Sequence, residues 1–246
     1  MSSLFDSATA AWHLLLSLDP LLWSIVARSL WVSCLSTSLA CVMGVALGAW
    51  LGVARFHGRD AVLTVLNTLL ALPSVVVGLI VYLLLSRSGP LGFLGWLFSL
   101  KAMVLAQAVL VLPVVTALTR QLVEDAERNH GEQLQSLGAR PLMRCVLLAW
   151  DERWALLTVV ITAFGRAVSE VGAVMVVGGN IEGFTRVMTT AIALETSKGD
   201  LPLALALGLV LMTVVLGLNV LISLLRRWRQ RLEGTAAQPL RSEGWA

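Results

Sequence analysis

The chain has 246 residues, of which 57% are hydrophobic and only 13% charged, with a mean hydropathy of +0.83. Soluble domains carry roughly 25% charged residues, so the composition excludes an ordinary soluble domain and indicates an all-α integral membrane protein. The net charge of +3 does not suggest nucleic acid, because the arginines lie near the ends of apolar runs, where membrane topology requires them.

The first residues, MSSLFDSATAAWHLLLSLDP, hold no Lys or Arg before Arg28, so they lack the basic start of a secretory signal. Residues 8–17 form an apolar segment too short to span, which Asp19-Pro20 ends. It is read as an interfacial or external helix within an N-terminal segment 1–23. Five spans follow. The first, 24–54, carries Gly44, Gly48 and Gly52 at four-residue spacing, a stripe that admits another helix closely. The second, 61–86, has Pro73 at its middle. Pro73 removes a backbone hydrogen bond there, and Ser74 beside it can re-satisfy freed groups. The third, 102–120, contains Pro113. The fourth, 154–179, carries Arg166 and Glu170. The fifth, 202–225, is uncharged and runs into Arg226, Arg227, Arg229 and Arg231. Trp23, Trp96, Trp150, Trp154 and Trp228 all fall near span ends, as an aromatic belt requires. Cys34 and Cys41 are seven apart in one run and cannot bridge within a helix. With Cys145 they read as small buried residues.

Charge sets the expected orientation. The segments 55–60 and 120–153 and the tail after 225 hold twelve basic residues, and the segments on the other side hold four. The richer side should be cytoplasmic, with the N-terminus outside and the C-terminus inside. The transmembrane unit is then 24–225, with a cytoplasmic loop at 121–153. Residues 226–246 form a basic tail, frayed from 234 onward. Within the loop, HGEQLQSLGARPLMRC (130–145) is polar and broken. Glu132–Leu137 reads as a short helix with Leu134 and Leu137 on one face. Gly138 sits just past its end, where a positive φ is needed. Pro141 opens a second helix toward Trp150. The result is an exposed apolar knob, which has a use if a soluble partner offers a groove.

Residues 132–139, EQLQSLGA, resemble the EAA loop of binding-protein-dependent ABC importer permeases. Glu132, Gly138 and Leu148 fall at the matching places, while Gln133 and Leu134 replace the two alanines and Trp150-Asp151 replaces the closing Leu-Pro. Residues 71–79, ALPSVVVGL, and 164–180, FGRAVSEVGAVMVVGGN, resemble segments of the molybdate- and tungstate-type permeases. Residues 186–199, RVMTTAIALETSKG, look closest to the tungstate branch. The resemblance implies a type I core, a homodimer with two ABC ATPase subunits, and an external oxyanion-binding protein. It implies that Glu132, Leu134, Leu137, Gly138, Ala139, Arg140 and Pro141 meet the ATPase. It implies that Pro73, Ser74 and Val75 line the path, and Arg166, Glu170, Gly172 and Asn180 are expected along it or at its gate as well. The location implied is the cytoplasmic membrane of a bacterium or archaeon, and the cargo tungstate, with molybdate as the alternative.

Arg166 and Glu170 are four apart and are expected to share a helix face. Charge at bilayer depth costs at least ~2.5 kcal/mol, so the pair reads either as a structural salt bridge or as a gate. Gly172, Gly178 and Gly179 suit close helix approach and a turn out of the membrane. Thr185, Thr189 and Thr190 fall on the outer loop, where they would face substrate entry. No phosphate loop occurs, so ATP and its Mg²⁺ would be held by a partner ATPase, and this chain would bind no cofactor. His13, His57 and His130 are scattered, without metal-ligand spacing. A five-span channel without ATP coupling is the reading from a different class.

Overall fold

A computed structural model describes residues 9–14, 16–17 and 19–236. The parts of the N-terminal segment and of the frayed tail expected beyond these bounds lie outside the described residues. The order is α1 (Pro20–Val53), α2 (Arg59–Leu70), α3 (Ser74–Leu85), a 3₁₀ turn (Gly92–Leu94), α4 (Leu100–Ser136), α5 (Pro141–Asp151), α6 (Arg153–Val168), α7 (Gly172–Gly178), α8 (Met188–Lys198) and α9 (Leu201–Ala236). The described residues contain no strand.

α1 starts where Asp19-Pro20 ends the preceding segment. The Asp19 carboxylate accepts the Leu22 N–H at 2.9 Å, and Pro20 occupies the first turn, where its missing N–H costs nothing. The 34 residues of α1 make a rod about 51 Å long, and the 37 of α4 one of about 55 Å. A hydrocarbon layer is roughly 30 Å thick, so both rods project beyond it. They run parallel and form the most extensive helix pairing in the molecule. The glycine stripe lies between them. A Cβ on Gly48 would stand 2.6 Å from the Thr116 carbonyl oxygen and 2.7 Å from Thr119 Cβ, closer than any side chain tolerates. Pro113 lies inside α4 without ending it.

α1, α4 and α9 as far as Trp228 are each long and apolar enough to cross a bilayer. The second and fourth expected spans are not continuous helices. α2 and α3 meet at a 100° bend across residues 71–73, and α6 and α7 at a 58° bend across residues 169–171. Counting each bent pair as one span or none gives three to five spans. Pro73 is therefore not a mid-helix kink. It caps α3, and its carbonyl accepts the N–H groups of Val76 and Val77. The Glu132–Leu137 helix is not separate either, because it forms the last turns of α4. Most of the expected 121–153 loop is helical.

Buried side chains form four clusters stacked along the α1–α4 pair. One joins α3, α4 and α7 through Val77, Val81, Met103, Ala173 and Val177. A second joins α1, α8 and α9 through Leu22, Ile25, Met188 and Leu207. A third holds Ala40, Val115, Val159 and Ala163, and a fourth Ala49, Val53, Val123, Cys145 and Leu148. Cys145 is buried as expected, but Cys34 is exposed.

Because Gly48 has no room for a methyl group, Gly48→Ala should destabilise the detergent-solubilised protein by about 1–3 kcal/mol. Gly208→Ala, whose added carbon meets nothing within 4 Å, should be neutral. Thermal unfolding of the two variants side by side checks this.

Candidate functional site

Two places gather the residues singled out in the sequence. The first is the end of α4 and the helix after it. The Gly138 N–H bonds the Gln135 carbonyl and the Ala139 N–H the Leu134 carbonyl, both at 2.9 Å. Gly138 has φ +79°, which completes a left-handed helix stop that disfavours a side chain. Arg140 then caps α5 and Pro141 begins it. Leu134 and Leu137 do not share a face. Leu134 packs against the fourth cluster, while Leu137 is 82% exposed. Leu142, Val146 and Trp150, at four-residue spacing on α5, are 73%, 63% and 71% exposed. With Leu137 and Met143 they make an exposed apolar knob at the end of α4 and along α5. The opposite face of α5 sends Cys145 and Leu148 into the fourth cluster. Arg144 pairs with Glu127 of α4, and each side chain is 11% exposed. Burial raises the Cys145 thiol, and Glu127 adds to the effect, so the group is neutral and serves as packing. α5 is thus fixed rigidly to α4 while its outer face is bare.

The second place is where the two helix breaks cross. Gly172, the first residue of α7, lies against the start of α3. A Cβ there would sit 2.7 Å from a Val75 methyl and 2.8 Å from Ser74 Oγ. Pro73, Ser74, Val75 and Gly172, spread over 100 residues of chain, come together here. Pro73 and Val75 remain exposed. The expected Arg166–Glu170 bridge does not form, because among the described residues the ion pairs include neither residue. The helix ends between them. Glu170 is buried, accepts the Ala173 N–H at 3.2 Å and so caps α7. Its carbonyl accepts the Thr189 hydroxyl at 2.7 Å. Arg166 is exposed. Thr185, Thr189 and Thr190 are buried rather than facing an entrance. Thr185 bonds the Gly178 carbonyl at 2.6 Å and takes the Ile181 N–H. Asn180, in left-handed backbone at φ +50°, donates to the Thr190 carbonyl at 3.2 Å. The Thr185 hydroxyl closes the turn that Gly179 starts. Periodicity does not place the three threonines, because it says nothing about which carbonyls a loop leaves open.

No protein-family model matches the chain. It is 42% identical over 226 residues to the tungstate uptake system permease protein TupB of Peptoclostridium acidaminophilum, covering 90% of this chain and 97% of that one. The chain belongs to the ABC transporter permeases. It is also 40% identical to the Campylobacter jejuni TupB, over 91% of this chain and 94% of the relative. A probable anion ABC transporter permease protein of Haloferax volcanii is 39% identical, over 86% and 92%. It is therefore a multi-pass membrane protein and a permease subunit rather than an ATPase.

Three groups in this permease escaped the sequence reading. Gln107 is buried within α4. It accepts the Ser36 hydroxyl of α1 and donates to the Ala167 carbonyl beside the α6–α7 break, both at 2.9 Å. Its signal was a lone amide in an apolar run. Glu127–Arg144, seventeen residues apart, left no pattern to find. Glu124, past the apolar part of α4, holds Arg120 one turn before it, Arg128 at 3.3 Å, Arg59 at 3.0 Å and Arg55 at 3.8 Å. Burial alone would raise this carboxyl, but the Arg59 hydrogen bond and the fields of Arg59, Arg120 and Arg128 outweigh it. Its pKa lies below the usual carboxylate range.

Glu127→Ala leaves a buried guanidinium without its partner and should cost about 3–5 kcal/mol. Combining Glu127→Arg with Arg144→Glu should recover much of that loss in thermal unfolding. A depressed folded-state pKa means that the Glu124 contribution is present above the ordinary carboxylate range and is lost as pH falls through the lower value. Glu124→Gln should therefore flatten the loss of thermal stability below about pH 4, which a pH series of melting curves reads directly.

Proposed function

We propose that this permease pairs with a second copy and two cytoplasmic ABC ATPase subunits to import tungstate delivered by an external binding protein. The observation that carries the reading is the bare apolar knob of Leu137, Leu142, Val146 and Trp150 beside Gly138, on a chain about 40% identical to tungstate uptake permeases. An exposed apolar cluster rimmed by charge marks a protein docking site. Each bent pair counts as one span, which gives a five-span type I core. The twelve-to-four bias in basic residues puts the N-terminus outside and the C-terminus in the cytoplasm. The membrane is the cytoplasmic membrane of a bacterium or archaeon.

In this reading ATP and Mg²⁺ stay on the ATPases, and their closure presses on residues 132–143. α5 is held to α4 by Arg144–Glu127 and by the packing of Cys145 and Leu148, so the push moves α4 as a rod. α4 reaches the crossing of the breaks through Gln107, which grips the Ala167 carbonyl. Pro73, Ser74, Val75 and Gly172 form the gate there, and Asn180 shapes the turn at its outer mouth. The crossing has only van der Waals contacts between small side chains across it, so it can slide open without breaking ion pairs.

The test uses the permease reconstituted with its ATPase and binding protein in proteoliposomes, with tungsten uptake read by elemental mass spectrometry. Gly138→Arg strains the left-handed stop by about 1–2 kcal/mol but meets nothing within 4 Å, so it should still insert and assemble in the membrane, which its yield and oligomeric state in detergent check. It should nevertheless lose at least tenfold in uptake, because a long charged side chain enters the docking knob. Uptake at the wild-type rate in that variant would remove the coupling role from this surface.

A further inference from the structure

One face of α6 carries Thr158, Thr162, Arg166 and Ser169, at spacings of four, four and three residues. Thr162, Arg166 and Ser169 are exposed. Thr162 and Gly165 line a groove of about 420 Å³ against Leu218, Asn219, Ile222 and Ser223 of α9, whereas Arg166 borders a separate narrow cleft with Gln107 and Glu170. A helix face turned to lipid is apolar, so a stripe of this composition faces a polar space.

The depth of Arg166 follows from helix geometry. Trp154 near the start of α6 stacks edge-on against Trp228 of α9, ring centres 4.8 Å apart, which marks the interfacial level. Arg166 is twelve residues further along, or about 18 Å, well inside a hydrocarbon layer of roughly 30 Å. Its guanidinium has no ion pair or hydrogen bond among the described residues. The acid nearest to it on α6 and its break is Glu170, and that carboxylate is committed to the Ala173 N–H. The hydroxyls around Arg166 are committed too. Thr158, Thr162 and Ser169 donate to the carbonyls of Trp154, Thr158 and Gly165. Arg166 is thus the free donor of this stripe, and it lacks a counter-ion.

We propose that Arg166, exposed and unpaired on α6, is a transient binding step for the transported tetrahedral oxyanion. The proposal rests on the reading of this chain as an oxyanion importer and assigns it a contact inside the membrane. A planar fork of N–H groups matches two oxygens of a tetrahedral oxyanion. Glu170, held one turn away by its bond to the Ala173 N–H, makes no ion pair with Arg166, and a carboxylate so near would weaken the grip on a dianion. A conducting site needs both properties, because the ion must enter and also leave.

The experiment measures tungsten uptake and ATP hydrolysis together in the reconstituted transporter. Arg166→Gln should lower uptake at least tenfold while binding-protein-stimulated ATP hydrolysis stays above half of wild type. Arg166→Lys, which keeps the charge without the fork, should fall between the two. Unchanged uptake in Arg166→Gln, or equal loss of uptake and ATP hydrolysis in both variants, overturns the proposal. A second measurement needs no turnover. With Cys34, Cys41 and Cys145 replaced by Ser, Thr162→Cys should react with a water-soluble anionic methanethiosulfonate. Tungstate should slow that reaction at least threefold, and adding Arg166→Gln should abolish the protection. A thiol that does not react, or that tungstate does not protect, overturns the proposal. A wild-type transporter that carries no tungstate sinks the importer reading instead. Protection by molybdate or sulfate would then still support the Arg166 step, and its absence would overturn it.

Discussion

A helix that breaks at bilayer depth frees backbone groups that lipid cannot satisfy, at several kcal/mol for each group left bare. This chain has two such breaks, at residues 71–73 and 169–171, and the rest of its architecture answers them. The breaks are stacked on each other, Gly172 against Ser74 and Val75. The Glu170 carboxylate takes the N–H of Ala173, Thr189 donates to the Glu170 carbonyl, and Gln107 donates to the Ala167 carbonyl. Polar side chains that a sequence reader assigns to substrate or to ion pairing are spent on backbone. Arg166 stands apart because nothing among the described residues pairs with it.

α4 is the counterpart of the broken helices. It passes unbroken through Pro113 and lies on α1 along a glycine stripe so tight that backbone nearly touches side chain. Two parallel rods in such contact cannot shear without a steric clash. Displacement at one end therefore reaches the other, from Glu127 and Arg144 at the arginine-rich end to Gln107 beside the breaks. Rigid rods next to a bare crossing of small residues divide the molecule into a part that moves as a unit and a part that yields.

Charge is distributed to match. Around Glu124 four arginines close the arginine-rich end and tie the α1–α2 turn to α4. At the opposite end the buried Arg186 lies between Glu182 at 3.4 Å and Glu195 at 3.6 Å, and Lys198 joins Glu195. Both networks staple loops to helices at the ends of the apolar runs, each with a buried centre, Glu124 or Arg186, paired in part with exposed partners such as Arg128 and Glu182.

Composition and periodicity alone settled the membrane class, the all-helical fold, the close approach at Gly44, Gly48 and Gly52, and the helix stop at Gly138 with its restart at Pro141. Each is local, set by residues within a few positions of each other or by apolar length against bilayer thickness. The meeting of Pro73–Ser74 with Gly172 was anticipated only as membership in one path. The tertiary structure decided the remainder. It turned Pro73 from a kink into a 100° break, separated Arg166 from Glu170 by ending the helix between them, buried Thr185, Thr189 and Thr190, and faced Leu134 and Leu137 apart. All of these depend on which carbonyl or N–H lies within reach across the fold. A hydrogen bond or ion pair between residues 17, 19 or 60 positions apart leaves no period in a sequence, because its geometry exists only once the helices are packed.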